Sequence, residues 1–162
     1  MDDHELETEP RAMQVAMKVL MYSGVRINAL TQLSKMTEPG WLDLPDEDGF
    51  KGGGRIPLPM DLWHEAKTLK MPDPTQTNKL NHERSETRGN PKDEGKFSNH
   101  SWRSGFKRIS RLAKLDHVLQ EVLLTHGLKK LEKTYGGDAF PDERLLDGAE
   151  KVWKEIDRIT GV

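Results

Sequence analysis

The chain has no cysteine and no long apolar run among its 162 residues. Without cysteine, disulfide bonds and thiolate metal sites are excluded, and a reducing compartment fits. Without an apolar stretch of about 20 residues, the chain has no candidate membrane span. The opening MDDHELETE is acidic, whereas a signal peptide begins with basic residues. We therefore expect a cytoplasmic protein with no membrane partner.

A basic excess is also missing, since the formal net charge is −2. Nucleic-acid-binding domains are usually basic overall. The positive charge is nevertheless collected in one region, because residues 79–133 carry thirteen Lys and Arg against seven Asp and Glu, whereas residues 1–10 and 37–50 each contain five acids. Such a distribution attracts phosphate groups locally. It also fits an ordinary solvated surface of mixed charge.

The hydrophobic content of 34% is enough for one domain, residues 1–162, with a modest core. Apolar periodicity and turn residues predict a mainly α fold with a small antiparallel β-hairpin, which is an α+β class. The predicted hairpin strands flank the turn-rich DEDGFKGGG. The polar segment 71–98 has no apolar periodicity and is expected to be a mobile loop. The predicted helices are 10–24, 26–35, 59–70, 98–114, 117–126 and 141–160. Asp116 is expected to cap the fifth of these helices, and the last is expected to begin with Pro141 in its first turn and to bury Ile159.

The helix predicted over 98–114 contains the most closely spaced candidate functional residues. Its apolar residues recur at helical spacing and predict a buried stripe, formed by Trp102, Phe106, Ile109 and Ala113. Residues three apart share a helix face, so His100 and Arg103 lie together. Lys107 and Arg111 continue that face as a cationic row suited to a phosphate.

This H-x-x-R pair belongs to a longer pattern. His126 follows Arg103 by twenty-three residues, Tyr135 follows nine later, and Arg26 lies upstream in MYSGVRINAL. The set resembles the catalytic domain of the tyrosine recombinase (phage integrase) family, and it looks closest to integrases of temperate phages and genomic islands. The similarity covers nearly the whole chain. It departs from the family where Asn28 replaces an acidic residue and where Leu-Thr-His replaces Leu-Gly-His or Leu-Ala-His.

A lysine on the hairpin extends the resemblance. Lys51 precedes three glycines and a strand, where the similar integrases place a catalytic lysine on a mobile hairpin. Lys35 is the alternative for the same role. A nucleotide-binding loop is disfavoured, because KGGG does not follow the G-x-x-x-x-G-K pattern and precedes a strand.

The resemblance implies transesterification of a DNA phosphodiester without metal or cofactor. The two arginines would stabilise the phosphate oxygens, the tyrosine would form a 3′-phosphotyrosine, and the lysine would protonate the leaving 5′-oxygen. The first histidine would accept or orient the tyrosine proton, and the second would donate a hydrogen bond to the phosphate. The implied catalytic residues are Arg26, Lys51, His100, Arg103, His126 and Tyr135. The implied DNA-binding residues are Lys107, Arg111, Lys129 and Lys130.

The resemblance also implies partners. The expected reaction is site-specific recombination for integration and excision of a mobile element, on double-stranded DNA with an att-type site. The resemblance further implies a tetramer on DNA and accessory DNA-bending proteins. It also implies a nucleoid-associated location in a bacterial or phage-infected cell. The helix 141–160 is expected to pack on its own domain or on a neighbouring protomer. The family's N-terminal core-site and arm-site domains have no counterpart here, so we expect a fragment of a longer protein.

Two alternatives stay open at this stage. A type IB topoisomerase-like enzyme would use the same chemistry to relax DNA. A non-cleaving DNA-binding remnant would keep the surface without the reaction, and the missing acid near Arg26 favours it slightly. Six histidines also raise the question of a metal site, but none lies in a ligand pattern such as H-E-x-x-H.

Overall fold

A computed structural model describes residues 3–45, 54–69, 99–124 and 140–161, and of residues 3–10 and 99–101 it describes the backbone alone. The predicted loop 71–98 and the tip of the predicted hairpin lie outside these ranges. The helices are α1 (Asp3–Ser23), a 3₁₀ helix (Ile27–Lys35), α2 (Met60–Thr68), α3 (Asn99–Leu112), α4 (His117–Leu123) and α5 (Asp142–Thr160). The strands are β1 (Trp41–Leu44) and β2 (Gly54–Pro57).

The two strands form an antiparallel pair in which Trp41 lies opposite Pro57 and Leu44 opposite Gly54. Leu42 and Ile56 are paired across the two strands, and both are buried. One face of the hairpin therefore packs against the core. A mostly helical chain with a small two-stranded antiparallel sheet confirms the α+β prediction.

The core consists of two apolar clusters. The first joins α1, the 3₁₀ helix, the hairpin and α2, and the second joins Trp41, Phe140 and the inner faces of α3, α4 and α5. Tyr22, near the end of α1, packs against both clusters. The end of α1 is therefore the place where the two halves of the core meet.

Helix boundaries differ from prediction at both ends of the chain. Helix α1 begins at Asp3 and not at Pro10. Acidic residues in the first turns of a helix are stabilised by its macrodipole, which favours extension through the acidic start. At the other end, Pro141 flanks α5 as its N-cap instead of forming its first turn, and Ile159, predicted to be buried, is 53% exposed. The last turn of α5 extends beyond the core.

Asp116 caps α4 as the sequence predicts, because its carboxylate accepts a hydrogen bond from the backbone N–H of Leu119. Helix α5 buries Leu145, Ala149 and Val152 within its own chain. A contact with a neighbouring protomer would therefore use its outer face. Within the described ranges, no helix is both long and apolar enough to cross a membrane.

Gly24 ends α1 and fixes the path of the chain towards the 3₁₀ helix. Its N–H donates to the carbonyl of Leu20, and its φ of +69° lies in the left-handed region that favours glycine. A Cβ built there would lie 2.7 Å from Cγ of Phe106 and 2.9 Å from Cδ2 of Leu124. Glycine is thus required for its backbone and for the close approach of α3 and α4.

We expect Gly24→Ala to destabilise the fold by two additive effects. The left-handed backbone costs about 1–2 kcal/mol, and overpacking against Phe106 costs about 1–3 kcal/mol more. Gly161→Ala is the matched control, because Gly161 has a φ of +78° but nothing within 4 Å of a built Cβ. Urea denaturation measures both. Equal losses in the two variants would contradict the close packing at Gly24.

Candidate functional site

Arg103 lies on the inner edge of α3. It is 5% exposed and shares the buried side of the helix with Phe106 and Ser110, three and seven residues later. The sequence placed Arg103 on an exposed cationic face with Lys107 and Arg111, and in this respect the prediction is wrong. The guanidinium points inward because two backbone carbonyls there accept its protons.

These two carbonyls belong to the ends of other helices. Nη1 of Arg103 donates to the carbonyl of Gly24 at 2.8 Å, and Nη2 donates to the carbonyl of Leu124 at 2.9 Å. The last carbonyls of a helix have no partner inside that helix, so a buried donor from elsewhere is needed. In the sequence Gly24 lies two residues before Arg26, and Leu124 lies two residues before His126. One guanidinium thus ties together the chain segments that lead to two predicted catalytic residues.

Arg26 lies beside this buried charge. It immediately precedes the 3₁₀ helix, where its carbonyl accepts the N–H of Ala29 at 2.9 Å, and its side chain is half-buried. Burial, and then the neighbouring charge of Arg26, lower the pKa of Arg103 from 12.5 to about 10. Arg103 therefore stays charged at neutral pH and is near enough to Arg26 to feel its charge.

The Arg26 side chain makes no hydrogen bond and no ion pair with the described part of the chain. Two guanidinium groups that repel each other in a partly buried place are a source of unfavourable energy. An anion bound between them would relieve it. Because guanidinium groups match the oxygens of phosphate in geometry, the Arg26–Arg103 corner is suited to a phosphate group.

The outer face of α3 continues the positive charge. Three cations of α3 and one just after its end are exposed there, none forms an ion pair with a described residue, and the helix contains no acid. At about 100° per residue, Lys107 and Arg111 lie about 40° and 80° around the helix from Arg103. The basic face therefore begins at the corner and turns outwards. It consists of Lys107, Arg108, Arg111 and Lys114.

Sequence reasoning singled out Lys107 and Arg111 but not Arg108 and Lys114. The signal available was the complete lack of Asp and Glu in α3. Lys114 has a φ of 58°, a left-handed conformation in which a lysine is strained. Its N–H donates to the carbonyl of Arg111, as at the end of many helices that finish in glycine. The chain thus keeps an exposed cation where glycine would be more stable.

The remaining predicted site residues are only partly described. His100 lies in α3, but its side chain falls outside the described part, as do Lys51, His126, Tyr135, Lys129 and Lys130 altogether. Lys35, the alternative acid, is exposed in the last turn of the 3₁₀ helix. Asn28 is also exposed, and no described hydrogen bond joins its side chain to Arg26. Of the predicted set, Arg26 and Arg103 are brought together.

The histidines that are described in side-chain detail do not cluster. His64 is exposed and stands edge-on to Trp63, while His117 lies 3.3 Å from Glu121 in the next turn of α4. Among the described residues, no three His, Asp or Glu side chains converge in a way that would hold a metal ion.

We expect Arg103→Lys to destabilise the fold, because one ammonium cannot reproduce the fork that serves two separate carbonyls. A buried carbonyl left without its donor costs about 1–3 kcal/mol. Arg111→Lys, on the exposed face of the same helix, should change stability by less than about 0.5 kcal/mol. Denaturant unfolding of the two variants measures the difference. A neutral Arg103→Lys would show that the two carbonyls do not need the guanidinium.

Comparisons of the chain with protein-family models, with curated proteins and with solved structures return no match. The residues themselves are therefore the basis for assigning a function.

Proposed function

We propose that the chain is a tyrosine recombinase catalytic domain, a DNA strand transferase that works through a 3′-phosphotyrosyl intermediate. One observation carries the proposal. Arg26, half-buried and without a described partner, is near enough to the buried Arg103 for the two positive charges to repel each other. These are the arginines of the G-x-R and H-x-x-R motifs by which the sequence resembles that family. The assignment of the α+β chain to the tyrosine recombinase catalytic-domain fold is part of the same proposal.

The two arginines act on the scissile phosphate. In phosphoryl transfer negative charge spreads over the non-bridging oxygens, and fixed cations stabilise it without having to reorganise. Arg26 approaches the oxygens from the half-buried corner, and Arg103 adds its charge from the core side. His126 donates a further hydrogen bond to the phosphate. The binding of the anionic phosphate also offsets the repulsion between the two guanidinium groups, in the bound substrate as well as in the transition state.

The reaction exchanges one P–O bond for another, from the 5′-oxygen of DNA to the phenolic oxygen of the tyrosine. The phenolic oxygen of Tyr135 attacks phosphorus, the bond to the 5′-oxygen breaks, and a 3′-phosphotyrosine and a 5′-hydroxyl result. His100 accepts or orients the phenolic proton, and Lys51 gives a proton to the leaving oxygen. Attack by another 5′-hydroxyl reverses the step and joins a new strand. Because the covalent link conserves the bond energy, neither a nucleotide nor a metal ion is needed.

The proposed substrate is double-stranded DNA with an att-type site, in integration and excision of a mobile element. The basic face of α3 would bind its phosphates, with Lys129 and Lys130 as further contacts. Tetramers on DNA, accessory bending proteins and a cytoplasmic, nucleoid-associated location belong to the same proposal. A type IB topoisomerase activity would use the same residues, and a strand-exchange assay separates the two.

A second candidate function is DNA binding without cleavage. The observation that favours it is the structural use of Arg103, which is 5% exposed and donates to the carbonyls of Gly24 and Leu124. In such a protein Arg103 would hold the fold together, and the basic face of α3 alone would bind the phosphates of DNA. Unlike the proposed recombinase, such a protein forms no covalent link to DNA.

The deciding experiment is covalent trapping on a nicked suicide substrate. The chain contains two tyrosines, so Tyr135→Phe and Tyr22→Phe form a matched pair. We expect Tyr135→Phe to abolish the adduct while leaving DNA affinity within a few-fold, because only the attacking oxygen is lost. Tyr22→Phe should still form the adduct, although more slowly, because the lost hydroxyl donates to Asp157 and not to DNA.

The unmutated protein should also form the adduct in excess EDTA. Adduct formation by Tyr135→Phe would overturn the choice of nucleophile. Tight DNA binding by the unmutated protein without any adduct would favour the non-cleaving candidate. Cleavage that stops with EDTA and returns with Mg²⁺ would indicate a metal-dependent nuclease.

Lys114 allows stability and DNA binding to be separated. Lys114→Gly should stabilise the fold by about 1 kcal/mol, because glycine adopts the left-handed backbone without strain. It should also weaken DNA binding and lower the slope of log K against log salt by about 1, because one phosphate contact is lost. Lys154→Ala, an exposed lysine of α5, is the control and should leave that slope unchanged. A Lys114→Gly variant with an unchanged salt slope would remove Lys114 from the DNA-binding face.

A further inference from the structure

The C-terminal helix holds the end of α1 through two hydrogen bonds. Nε1 of Trp153 donates to the backbone carbonyl of Tyr22 at 2.9 Å. The hydroxyl of Tyr22 donates in turn to Oδ1 of Asp157 at 2.5 Å. Trp153 and Asp157 are four residues apart and share one face of α5, so this face grips both the backbone and the side chain of Tyr22.

Tyr22 is close in sequence to the Arg26–Arg103 corner. It precedes Gly24, whose carbonyl accepts from Arg103, by two residues, and it precedes Arg26 by four. Its own carbonyl is among the last of α1, and these carbonyls have no N–H partner inside the helix. The indole N–H of Trp153 is the donor for the Tyr22 carbonyl instead. Helix α5 also packs against α3, which carries Arg103. The same helix therefore contacts the elements that present both arginines.

The bond to Asp157 persists over the usual pH range. Burial, and then the hydrogen bond and the charge of Asp157, raise the pKa of Tyr22 from 10.0 to about 12. Its phenol therefore remains protonated, and able to donate, up to strongly alkaline pH. The Tyr22 hydroxyl is thus available as a donor to Asp157 at neutral pH.

We propose that Trp153 is a positioning residue for Arg26, and that α5 of the same chain holds the segment 24–26 in place relative to Arg103. This inference rests on the proposed function. Without the indole N–H, the last turn of α1 can shift and carry Arg26 away from the phosphate. A displacement of about 1 Å in a catalytic group is enough to slow a reaction ~10²-fold. Trp153 itself touches no substrate.

Trp63 offers a matched control for the test. Its Nε1 donates to the backbone carbonyl of Trp41 at 3.0 Å, which is the same kind of bond between α2 and β1, away from the corner. Trp153→Phe and Trp63→Phe each remove one indole donor and keep an aromatic ring. A purely structural role for Trp153 predicts that the two variants behave alike.

The first measurement is the rate of adduct formation under saturating DNA. We expect Trp153→Phe to lower kcat by about 10- to 100-fold with KM nearly unchanged, since most DNA affinity comes from backbone phosphate contacts elsewhere. Trp63→Phe should leave kcat within about twofold of the unmutated value, which is under 0.5 kcal/mol by the tenfold-per-1.36 kcal/mol relation. Equal effects of the two variants on kcat would overturn the inference.

A double-mutant cycle asks whether Trp153 acts through Arg26. In an Arg26→Ala background the further change Trp153→Phe should have no effect on the remaining rate, because the group that it positions is gone. Asp157→Asn, which keeps an oxygen that accepts from Tyr22, should react faster than Asp157→Ala. Fully additive rate losses from Trp153→Phe and Arg26→Ala would show that Trp153 acts by another route.

A readout without catalysis separates this inference from the proposed function. Inorganic phosphate can be titrated into the ¹⁵N-labelled protein while the side-chain Nε–H signal of Arg26 is followed by NMR. Trp153→Phe should weaken phosphate binding at Arg26 by about tenfold, and Trp63→Phe should not. If the unmutated protein forms no adduct but shows this difference, the recombinase proposal fails and the positioning role stands. No difference between the two variants in phosphate binding would overturn the positioning role.

Discussion

The guanidinium of Arg103 is the interaction on which the site depends. It bridges the carbonyl of Gly24 at the end of α1 and the carbonyl of Leu124 at the end of α4. Burying a charge is costly unless hydrogen bonds replace its water, and two carbonyls at helix ends provide the acceptors. Gly24 makes this approach possible, because any Cβ at that position would collide with Phe106.

Two local features of the molecule act against its stability, and both concern positive charge. Arg26 and Arg103 are near enough for their repulsion to lower the pKa of Arg103, and Lys114 keeps a left-handed backbone that glycine would adopt without strain. Strain of this kind persists where function requires it. Binding of an anion would offset the repulsion between the two guanidinium groups, whereas the backbone strain at Lys114 would remain.

Local patterns could be read from the sequence, whereas long-range contacts could not. The hairpin and the Asp116 cap rest on residues that are neighbours in sequence, and both were predicted correctly. The inward turn of Arg103 depends on carbonyls that are 79 and 21 residues away. The bond from Trp153 to Tyr22 spans 131 residues. A helical pattern classes Arg103 as polar and exposed because it holds no information about acceptors from other segments.

The structural and chemical uses of Arg103 support each other. A side chain fixed by two carbonyls has already lost its rotamer freedom, so binding a phosphate costs it little further entropy. Arg26 is held by other means, because its chain segment is gripped from α5 through Tyr22. The charge of Arg103 is therefore in place before a ligand arrives, which is the condition under which electrostatic stabilisation of a transition state is strongest, whereas for Arg26 only the backbone segment is held. Mobile surface lysines would be sufficient for DNA binding without catalysis, because the free energy of counterion release depends on charge and not on the exact position of each cation. The fixed guanidinium of Arg103 is consequently the feature that the proposed catalysis would use and that simple binding would not need.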